Sequence, residues 1–509
     1  MKKNDEITIE ITDIGSAGEG IGHFEGMTYF VNGAIPGDVI RAGITKLKKT
    51  YGYARVIEII ETSKDRVEPV CPVAGRCGGC QIMQMDYEAQ LIWKQSLVRE
   101  KLHRIGGFSD EKLDDVMQPV IGMDVPYHFR NKSQYPVGSD RGGNTVMGFY
   151  AGHSHRIVTA DTCFLGTGIN EKIRDAVTGC EEVVPYNEET HKGLLRHVMV
   201  RASYHYEDVM VVLVVNAPHM TRDVREMTEA LVPRLAGLVC DDVEGGFGKS
   251  RVSTVVLNYN DRPGNVIMGE KCETLFGDGY IRDRIGEVEY HISALSFFQV
   301  NPRQTKKLYD KALEYAALTG QETVWDLYCG IGTISLYLAR NAASLYGVEV
   351  IPDAIRDARQ NAKINGINNA VFSVGDAGRV EIKDEGEKEP DAEGKLALPR
   401  PDVIVVDPPR KGCDEKLIST ILKAQPKRIV YVSCDPATLA RDLKLLCADS
   451  YDLISATPLD QFGHSVHVES CCLLERLRNA KDYVTFTLDM EDYYRIKDAE
   501  TDKKNDSKN

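Results

Sequence analysis

The fold is decided by the stretch Thr323-Val-Trp-Asp-Leu-Tyr-Cys-Gly-Ile-Gly-Thr333 and by Ser344-Leu-Tyr-Gly-Val-Glu349, which follows it. Residues 323–328 are mostly β-formers, 329–333 contain a tight glycine turn, and 334–340 have helical spacing. The next strand then begins at Ser344. Strands that alternate with helices are typical of a parallel sheet, so an α/β Rossmann-like domain is predicted here.

The same alternation continues toward the C-terminus. A helix is predicted over 352–365, a strand over 370–374 that ends before Asp376, and a strand over 402–406 that ends at Asp407. Glu349 ends the strand that begins at Ser344. In open parallel sheets ligands bind at the carboxyl ends of the strands, so these three acids are candidate ligand contacts.

The glycine turn indicates a cofactor class. Gly330 and Gly332 lack the third glycine of the dinucleotide fingerprint, which disfavours NAD and FAD. Glu349 at the next strand end could accept hydrogen bonds from both hydroxyls of a ribose. This combination resembles the S-adenosylmethionine-dependent methyltransferases, and the resemblance places Asp376 near the adenine.

A second reactive position lies at Cys434, between the β-forming run 429–432 and a helix start at Asp435-Pro436. The partial positive charge of a helix N-terminus favours a thiolate, which is the nucleophilic form of cysteine. The alternative is a buried cysteine that only packs, which is common for single cysteines.

The N-terminal residues 7–60 are predicted to form a small β-barrel of short strands separated by glycines. The stretches Gly18-Glu-Gly-Ile-Gly-His-Phe-Glu-Gly26 and Val31-Asn-Gly-Ala-Ile-Pro-Gly-Asp38 resemble the TRAM domain, an OB-like RNA-binding barrel. On that resemblance, Tyr51, Tyr53 and nearby lysines and arginines contact bases and phosphates. An unrelated barrel is the alternative.

Three cysteines, Cys71, Cys77 and Cys80, lie within one short loop. They need a fourth ligand to complete a metal site, and Cys163 is the natural candidate. Structural zinc sites usually pair their ligands, whereas three clustered thiols and one remote thiol are common for a 4Fe-4S cluster. A 4Fe-4S cluster with a structural or RNA-shaping role is therefore predicted, with zinc as the alternative.

The whole chain is predicted to be multidomain. The predicted divisions are a TRAM-like barrel (1–62), a central α+β domain with the cysteine loop 71–80 that lines a substrate groove (63–275), the α/β domain (276–480) and a polar tail (481–509). The charged, aperiodic segment 381–400 is predicted to be a surface insertion.

Composition limits the class of protein. The 509 residues are 42% hydrophobic and carry a formal net charge of −14, which alone argues against nucleic acid, but the acid is concentrated in 381–393 and the tail. No apolar run approaches a membrane span and no export signal is visible, so a cytoplasmic protein without membrane contact is expected. Thirteen cysteines in that setting favour metal ligands, nucleophiles and buried thiols over disulfides.

Five motifs together resemble the RNA 5-methyluridine methyltransferase family. They stand in the family's order and span the catalytic domain. They are Ser296-Phe-Phe-Gln-Val-Asn301, Asp326-Leu-Tyr-Cys-Gly-Ile-Gly332, Asp407-Pro-Pro-Arg-Lys-Gly412, Val432-Ser-Cys-Asp-Pro-Ala-Thr-Leu-Ala-Arg-Asp442 and His467-Val-Glu-Ser470.

The resemblance assigns roles to individual residues. Cys434 matches the nucleophile that adds to carbon 6 of uracil, and Glu469 matches the base that removes the proton from carbon 5. Burial beside Val466 and Val468 would raise the pKa of Glu469, which suits a base. The residues assigned to S-adenosylmethionine are Gln299, Tyr328, Glu349 and Asp407, with Asp376 and the glycines Gly330 and Gly332 from the turn. Asp407 is also placed to meet the uracil edge.

The resemblance also indicates a substrate. The barrel and the cysteine loop resemble members that act on large-subunit (23S) ribosomal RNA, which is therefore the expected partner of a monomeric enzyme. Transfer RNA is the alternative within the class. A non-catalytic RNA-binding or ribosome-assembly protein is the alternative outside it, and intact Cys434 and Glu469 argue against that.

Overall fold

The structure is a computed structural model that describes residues 1–152, 154–242, 246–383 and 396–477. The predicted tail 481–509 and the middle of the predicted insertion 381–400 lie outside those residues. Within the described ranges, no helix is both long enough and apolar enough to cross a membrane.

The N-terminal unit is a closed five-stranded barrel in the order β1-β2-β3-β5-β4. Its strands are β1 (Glu6–Ile14), β2 (Gly20–Phe24), β3 (Met27–Asn32), β4 (Val39–Leu47) and β5 (Tyr51–Glu61). Alternating residues such as Ile7, Ile9 and Ile11 point inward and are buried. Asp38 is fully buried and forms an ion pair with Arg66 at 2.5 Å, which ties the barrel to the following segment.

The central part of the chain mixes helices and strands. In chain order its elements are α1 (Tyr87–Arg104), α2 (Asp110–Val116), β6 (Lys132–Ser139), β7 (Thr145–Met147), β8 (Phe149–Tyr150), β9 (Ile157–Val158), α3 (Ile169–Thr178), β10 (Leu195–Ala202), β11 (Asp208–Val215), α4 (Arg222–Leu235), β12 (Val239–Asp242), β13 (Gly248–Tyr259), β14 (Lys271–Phe276), β15 (Tyr280–Ile285) and β16 (Val288–Ser293). Most of these strands form one sheet in the order β12-β13-β11-β10-β6-β7, with β14 paired to β13. Helices α3 and α4 cover one face of it.

The C-terminal unit is an α/β domain built on a seven-stranded sheet in the order β19-β18-β17-β22-β23-β25-β24. Its elements are α5 (Pro302–Ala316), β17 (Thr323–Leu327), α6 (Thr333–Ala339), β18 (Ser344–Glu349), α7 (Pro352–Ile364), β19 (Ala370–Val374), β20 (Glu381–Ile382), β21 (Ala397–Leu398), β22 (Val403–Val406), α8 (Glu415–Ala424), β23 (Arg428–Ser433), α9 (Pro436–Leu446), β24 (Tyr451–Leu459) and β25 (Glu469–Arg476). The predicted strand–helix alternation is confirmed. The first five strands of the sheet order are parallel, whereas β25 runs antiparallel to both β23 and β24.

Apolar side chains cover both faces of this sheet. One face packs against α5, α6 and α7, and the other packs against α8 and α9. Val98 and Leu102 of α1 and Leu113 of α2 belong to the second layer. The first two helices after the barrel therefore pack on the C-terminal sheet, although the central sheet follows them in the sequence.

The described ends of the predicted insertion are anchored to the domain. Strands β20 and β21 pair in parallel, and Leu398 is buried. The indole nitrogen of Trp325 also donates a hydrogen bond to the carbonyl of Pro399 at 2.9 Å. These contacts hold both ends of the segment against the sheet.

Candidate active site

The predicted site residues of the C-terminal domain lie mostly at the carboxyl edge of its parallel strands. Tyr328 follows β17, Glu349 ends β18, Asp407 follows β22 and Cys434 follows β23. Because these strands are neighbours in one sheet, their ends meet along one edge. The topology thus brings together positions that are more than a hundred residues apart in the sequence.

Cys434 occupies the turn between β23 and α9. Asp435 caps the helix by accepting hydrogen bonds from the amides of Ala437 at 2.9 Å and Thr438 at 3.0 Å. Pro436 fills the first turn, where no amide hydrogen is needed. The turn leaves the Cys434 side chain partly exposed at the sheet edge.

Glu469 lies close to Cys434 at the edge of the sheet. In the antiparallel pair of β23 and β25, Ser433 lies opposite Ser470. Cys434 follows Ser433 and Glu469 precedes Ser470, and the charge of Glu469 acts on the Cys434 thiol, so the two side chains are neighbours. The Glu469 side chain is only 2% exposed, and its Oε2 has no hydrogen-bond partner in the described part of the chain.

Burial and, to a smaller extent, the neighbouring carboxyl of Asp407 together raise the pKa of Glu469 to about 8. The guanidinium of Arg410 acts in the opposite direction. The predicted increase in the pKa of Glu469 through burial is therefore confirmed.

Asp407 and Asp326 are a second pair of acids in the same pocket. Burial raises the pKa of each to about 7, and Asp326 contributes to the shift of Asp407. Asp326 lies within β17 and accepts a hydrogen bond from the hydroxyl of Ser335, while Glu349 raises its pKa. The pocket therefore holds several carboxyl groups that repel one another when they are charged.

The Cys434 thiol is not acidic in this pocket, although it lies at a helix N-terminus, which favours a thiolate. Burial raises the pKa of the thiol to about 12, and Glu469 and Asp407 raise it as well. Arg410 is the neighbouring group that lowers it. Desolvation and two carboxyl groups therefore outweigh the helix dipole, whose contribution is confined to the first turn.

Arg410 is a site residue that sequence reasoning missed. Its side chain is exposed at the pocket, with Nη2 3.5 Å from Nε2 of His467, and its positive charge acts on both Cys434 and Glu469. The signal in the sequence is its place two residues after Pro408, within the family motif Asp407-Pro-Pro-Arg-Lys-Gly412.

The glycine turn forms an open cradle beside the acids. Gly330 and Gly332 adopt φ of +53° and +82°, and Tyr328 has φ of +101°. A Cβ on Gly330 would meet nothing within 4 Å, so the space above that residue is free for a ligand. A Cβ on Gly332 would instead lie 3.1 Å from the ring of Phe372, so the close packing against that ring favours glycine at this position.

The other predicted cofactor residues flank this cradle. Glu349 is half-buried and accepts a hydrogen bond from the amide of Ile351 at 3.0 Å. Asp376 caps the short 3-10 turn Ala377–Arg379 and forms an ion pair with Arg379 at 3.3 Å. Asp376 contributes electrostatically to the pKa of Tyr328, which is raised mainly by burial, so the two side chains are neighbours.

Gln299 lies in the loop that precedes α5. It is 5% exposed, and its Oε1 accepts a hydrogen bond from Gln461 at 3.5 Å. Its carbonyl accepts a hydrogen bond from Asn131 at 3.1 Å. Gln299 thus connects the segment before Glu469 with the central domain.

The four predicted metal ligands converge in space. The charges of Cys71, Cys77 and Cys163 each act on the thiol of Cys80, whose pKa rises to about 12 mainly because it is buried. The guanidinium of Arg130 lies close enough to lower it. In the placement of the described residues, however, no group of three or more His, Cys, Asp or Glu side chains could hold a metal ion.

The fold and the site define a class of protein. A seven-stranded sheet of this order, with a glycine turn and acids at the carboxyl edge, is the class I methyltransferase fold, and it follows a closed TRAM barrel. The chain matches the TRAM domain over residues 2–57 and the family described as tRNA (Uracil-5-)-methyltransferase over residues 272–477.

Relatives extend the match to the whole chain. A protein of Halalkalibacterium halodurans, named an uncharacterized RNA methyltransferase, is 44% identical over 93% of this chain and 98% of its own length. A protein of Clostridium acetobutylicum with the same description is 43% identical over 94% of this chain and 98% of its own length. The chain belongs to the RNA uracil-5-methyltransferase family.

A solved structure supports the same fold. The tRNA (uracil-54, C5)-methyltransferase of Pyrococcus abyssi, in complex with S-adenosyl-L-homocysteine, superposes with a TM-score of 0.68. It is 26% identical, and the match covers 92% of this chain and 100% of that protein.

Proposed function

We propose that this chain transfers a methyl group from S-adenosylmethionine to carbon 5 of uridine in RNA, through a covalent bond between Cys434 and carbon 6. One observation carries the proposal. Cys434 and Glu469 lie next to the last pair of the neighbouring strands β23 and β25 and act on each other electrostatically, in a pocket that also contains Asp407 and Arg410. A nucleophile and a base with a pKa near neutrality are what this reaction needs.

The chemistry explains the two roles. Carbon 5 of uracil is a weak nucleophile, so the Cys434 sulfur first bonds to carbon 6 and moves an electron pair onto the ring as an enolate. S-adenosylmethionine supplies an electrophilic methyl group to carbon 5 of that enolate. Glu469 then takes the proton from carbon 5, and the returning electron pair breaks the bond from sulfur to carbon 6. The products are 5-methyluridine, a free Cys434 thiolate and S-adenosylhomocysteine, the thioether left when the bond between sulfur and the methyl group breaks.

The resting protonation states fit an enzyme that is activated by its substrate. With a pKa near 12, the Cys434 thiol is protonated at neutral pH and must lose its proton when RNA enters the pocket. Arg410 is the local cation that favours the thiolate. Glu469, with a pKa near 8, changes protonation state close to the working pH, which suits a group that accepts a proton and releases it in each cycle.

The cofactor residues form a cradle that fits S-adenosylmethionine. The open space above Gly330 admits the ligand, and the partly exposed Glu349 at a strand end offers oxygen atoms to a ribose. We assign Asp376 to the adenine side, beside the ring of Tyr328. We assign Gln299, with Asp407, to the side near the transferred methyl group. For Tyr328, Glu349, Asp376 and Asp407 the assignment rests on their positions along one edge of the sheet, and for Gln299 it rests on the family motif 296–301.

The preferred substrate is large-subunit ribosomal RNA, on the strength of the TRAM barrel and the cysteine loop. Transfer RNA is a second candidate, because the Pyrococcus abyssi enzyme that matches 92% of this chain is a tRNA methyltransferase. In either RNA the target base is extruded from its stack into the pocket, while the barrel and central domain hold the flanking nucleotides. A cytoplasmic, monomeric enzyme with the divisions 1–62, 63–275, 276–480 and 481–509 completes this proposal.

Mass spectrometric mapping of 5-methyluridine in cells that lack the gene tests the function and the substrate. Rescue is made with the wild type and with Cys434→Ala. Loss of the modification from ribosomal RNA, restored by the wild type alone, is the expected result. Loss confined to transfer RNA would reassign the substrate. Unchanged 5-methyluridine in both RNAs, where no second enzyme makes it, would support a non-catalytic RNA-binding protein.

We also propose that Cys71, Cys77, Cys80 and Cys163 hold a 4Fe-4S cluster. The convergence of the four thiols supports it, and Arg130 beside Cys80 would offset negative charge on the cluster. Each iron of such a cluster takes one thiolate, so the four sulfur atoms need not gather around a single ion as they do for zinc.

Anaerobic purification tests the cluster directly. A brown protein with visible absorption that is lost in Cys77→Ser is expected. Cys272→Ser, which changes an exposed cysteine outside the loop, is the matched control and keeps the colour. A colourless protein that holds stoichiometric zinc would overturn the proposal in favour of the zinc site.

A further inference from the structure

A cleft of about 710 Å³ opens on the central domain, among elements that no part of the proposed catalytic chemistry uses. Its walls come from the loop between β10 and β11, from the start of β13, from the end of β14 and from β15. The residues that matter below are the aromatic Tyr204, Tyr206 and Phe276 and the cationic Lys249, Arg251 and Arg282. We propose that this cleft binds single-stranded RNA that flanks the target uridine, with a base against the aromatic side chains and phosphates on Lys249 and Arg251.

The aromatic loop is held rigidly before any ligand arrives. The fully buried Asp283 accepts hydrogen bonds from the amides of Tyr204 at 3.0 Å and His205 at 3.2 Å, and its Oδ1 lies 2.9 Å from Nδ1 of His205. Ser203 Oγ accepts a further bond from the amide of Tyr206 at 3.0 Å. A fixed loop presents its rings without an entropic cost on binding, which favours affinity.

Cations lie against these rings. The guanidinium of Arg282 lies 4.8 Å from the centroid of Tyr206, and that of Arg303 lies 5.2 Å from the centroid of Tyr204. Aromatic rings next to arginine planes are the combination that single-strand binders use for bases and backbone. The cleft therefore has the chemistry of a nucleotide site.

The cations of the cleft differ in how strongly they are paired, and Glu289 also lies beside Tyr206 and Arg282. Arg282 is paired with Asp208 at 2.9 Å, and Lys249 lies 3.7 Å from Glu207. Arg251 is exposed and forms no ion pair with a carboxylate of the described residues. Lys249 and Glu207 are both 54% exposed, so their pair is weak and a phosphate can replace it, and Lys249 and Arg251 are then the two cations for phosphates.

Two arginines connect the cleft to the segment of chain that carries Gln299. Arg201, at the end of β10, is 2% exposed and donates hydrogen bonds to the carbonyls of Ser293 at 3.0 Å and Ser296 at 2.8 Å, just before Gln299. Arg303 begins α5 and donates a hydrogen bond to the Tyr204 hydroxyl at 2.9 Å. A strand bound in the cleft would therefore lie beside the segment that carries Gln299.

This inference rests on the proposed function, and the experiment separates the two. Binding is measured with a fluorescein-labelled oligouridylate RNA and a Cys434→Ala background, so that no methyl transfer is needed for the readout. The test variants are Phe276→Ala, whose ring is 36% exposed, and the double variant Lys249→Ala/Arg251→Ala. Arg262→Ala, an exposed arginine paired with Glu270 outside the cleft, is the matched control.

We expect Phe276→Ala to raise the Kd about tenfold, as loss of one stacked base does. The association constant falls as the salt concentration rises, and we expect the double variant to make the slope of log K against log salt concentration less steep by about 1.4, the value for two phosphates on a single strand. In the catalytically intact background, both changes raise the KM for a ribosomal RNA transcript and leave kcat within about twofold. If these side chains had a purely structural role, their loss would not raise the KM while leaving kcat unchanged.

Crosslinking provides an independent measurement. An oligouridylate that contains 4-thiouridine, irradiated on the wild type, is expected to label peptides that contain 204–206 or 247–251. Labels confined to the barrel and the catalytic pocket, with unchanged Kd and salt slope in both variants, would overturn the proposal that RNA binds in the cleft. Absence of methylation by the wild type on any RNA would instead overturn the proposed function, whatever the cleft variants show.

Discussion

Replacement of Glu469 by glutamine is expected to make the folded protein more stable at alkaline pH while it abolishes turnover. The buried carboxyl has its pKa raised from 4.5 to about 8. A group whose folded-state pKa is raised contributes stability that is complete below pH 4.5 and is lost as pH rises through 8. At about 1.4 kcal/mol per pKa unit the full loss has an upper limit of about 5 kcal/mol, and we expect about 2 kcal/mol after the pocket relaxes.

The measurement is urea unfolding between pH 5 and pH 9, followed by the fluorescence of Trp325 in a Trp93→Phe background. Trp325 is fully buried in β17 of the same domain as Glu469. The stability difference between Glu469→Gln and the wild type should grow with pH. Glu475→Gln, on the same strand but 46% exposed, is the control and should show little change. A difference that stays constant from pH 5 to pH 9 would refute the account of the pocket.

Three further predictions follow from contacts in the same domain. Lys94 and Asp460 are fully buried and form an ion pair at 2.6 Å, so Lys94→Met should lower the free energy of unfolding in urea by about 3 kcal/mol because it leaves a buried charge unpaired. The double variant Lys94→Met/Asp460→Asn should recover part of that loss. Gly332 has φ of +82°, and an added Cβ would lie 3.1 Å from the Phe372 ring, so Gly332→Ala should lower the free energy of unfolding by about 1–2 kcal/mol and weaken the binding of S-adenosylmethionine measured by calorimetry. Gly320→Ala, where the added Cβ meets nothing within 4 Å, should keep the affinity. The kcat of the wild type should rise with pH toward a plateau above about 8, as Glu469 loses its proton, and a flat profile would contradict its role as base.

Local sequence signals predicted much of the catalytic domain. The strand over 370–374 has the same bounds as β19, and the helix predicted over 352–365 is one residue longer than α7. Alternating β-formers, a glycine turn and a proline at a helix start all act within a few residues, so they can be read from one stretch. The barrel followed from the same kind of signal.

Long-range effects could not be predicted in this way. The packing of α1 on the C-terminal sheet depends on contacts between residues hundreds of positions apart, such as Lys94 with Asp460. The raised pKa of Cys434 likewise comes from burial and from Glu469 and Asp407 on other strands, which the helix start at Asp435 does not reveal. The role of Arg410 in the pocket became visible only when the ends of the strands were brought together.

The most direct test of the central claim is mass spectrometry of the covalent enzyme–RNA adduct. Glu469→Gln is incubated with S-adenosylmethionine and substrate RNA, digested with protease and nuclease, and analysed for a modified peptide. Without the base, the methylated nucleotide should stay bonded to Cys434 and survive denaturation. An unmodified Cys434 peptide, together with continued methylation by Cys434→Ala, would contradict the covalent mechanism.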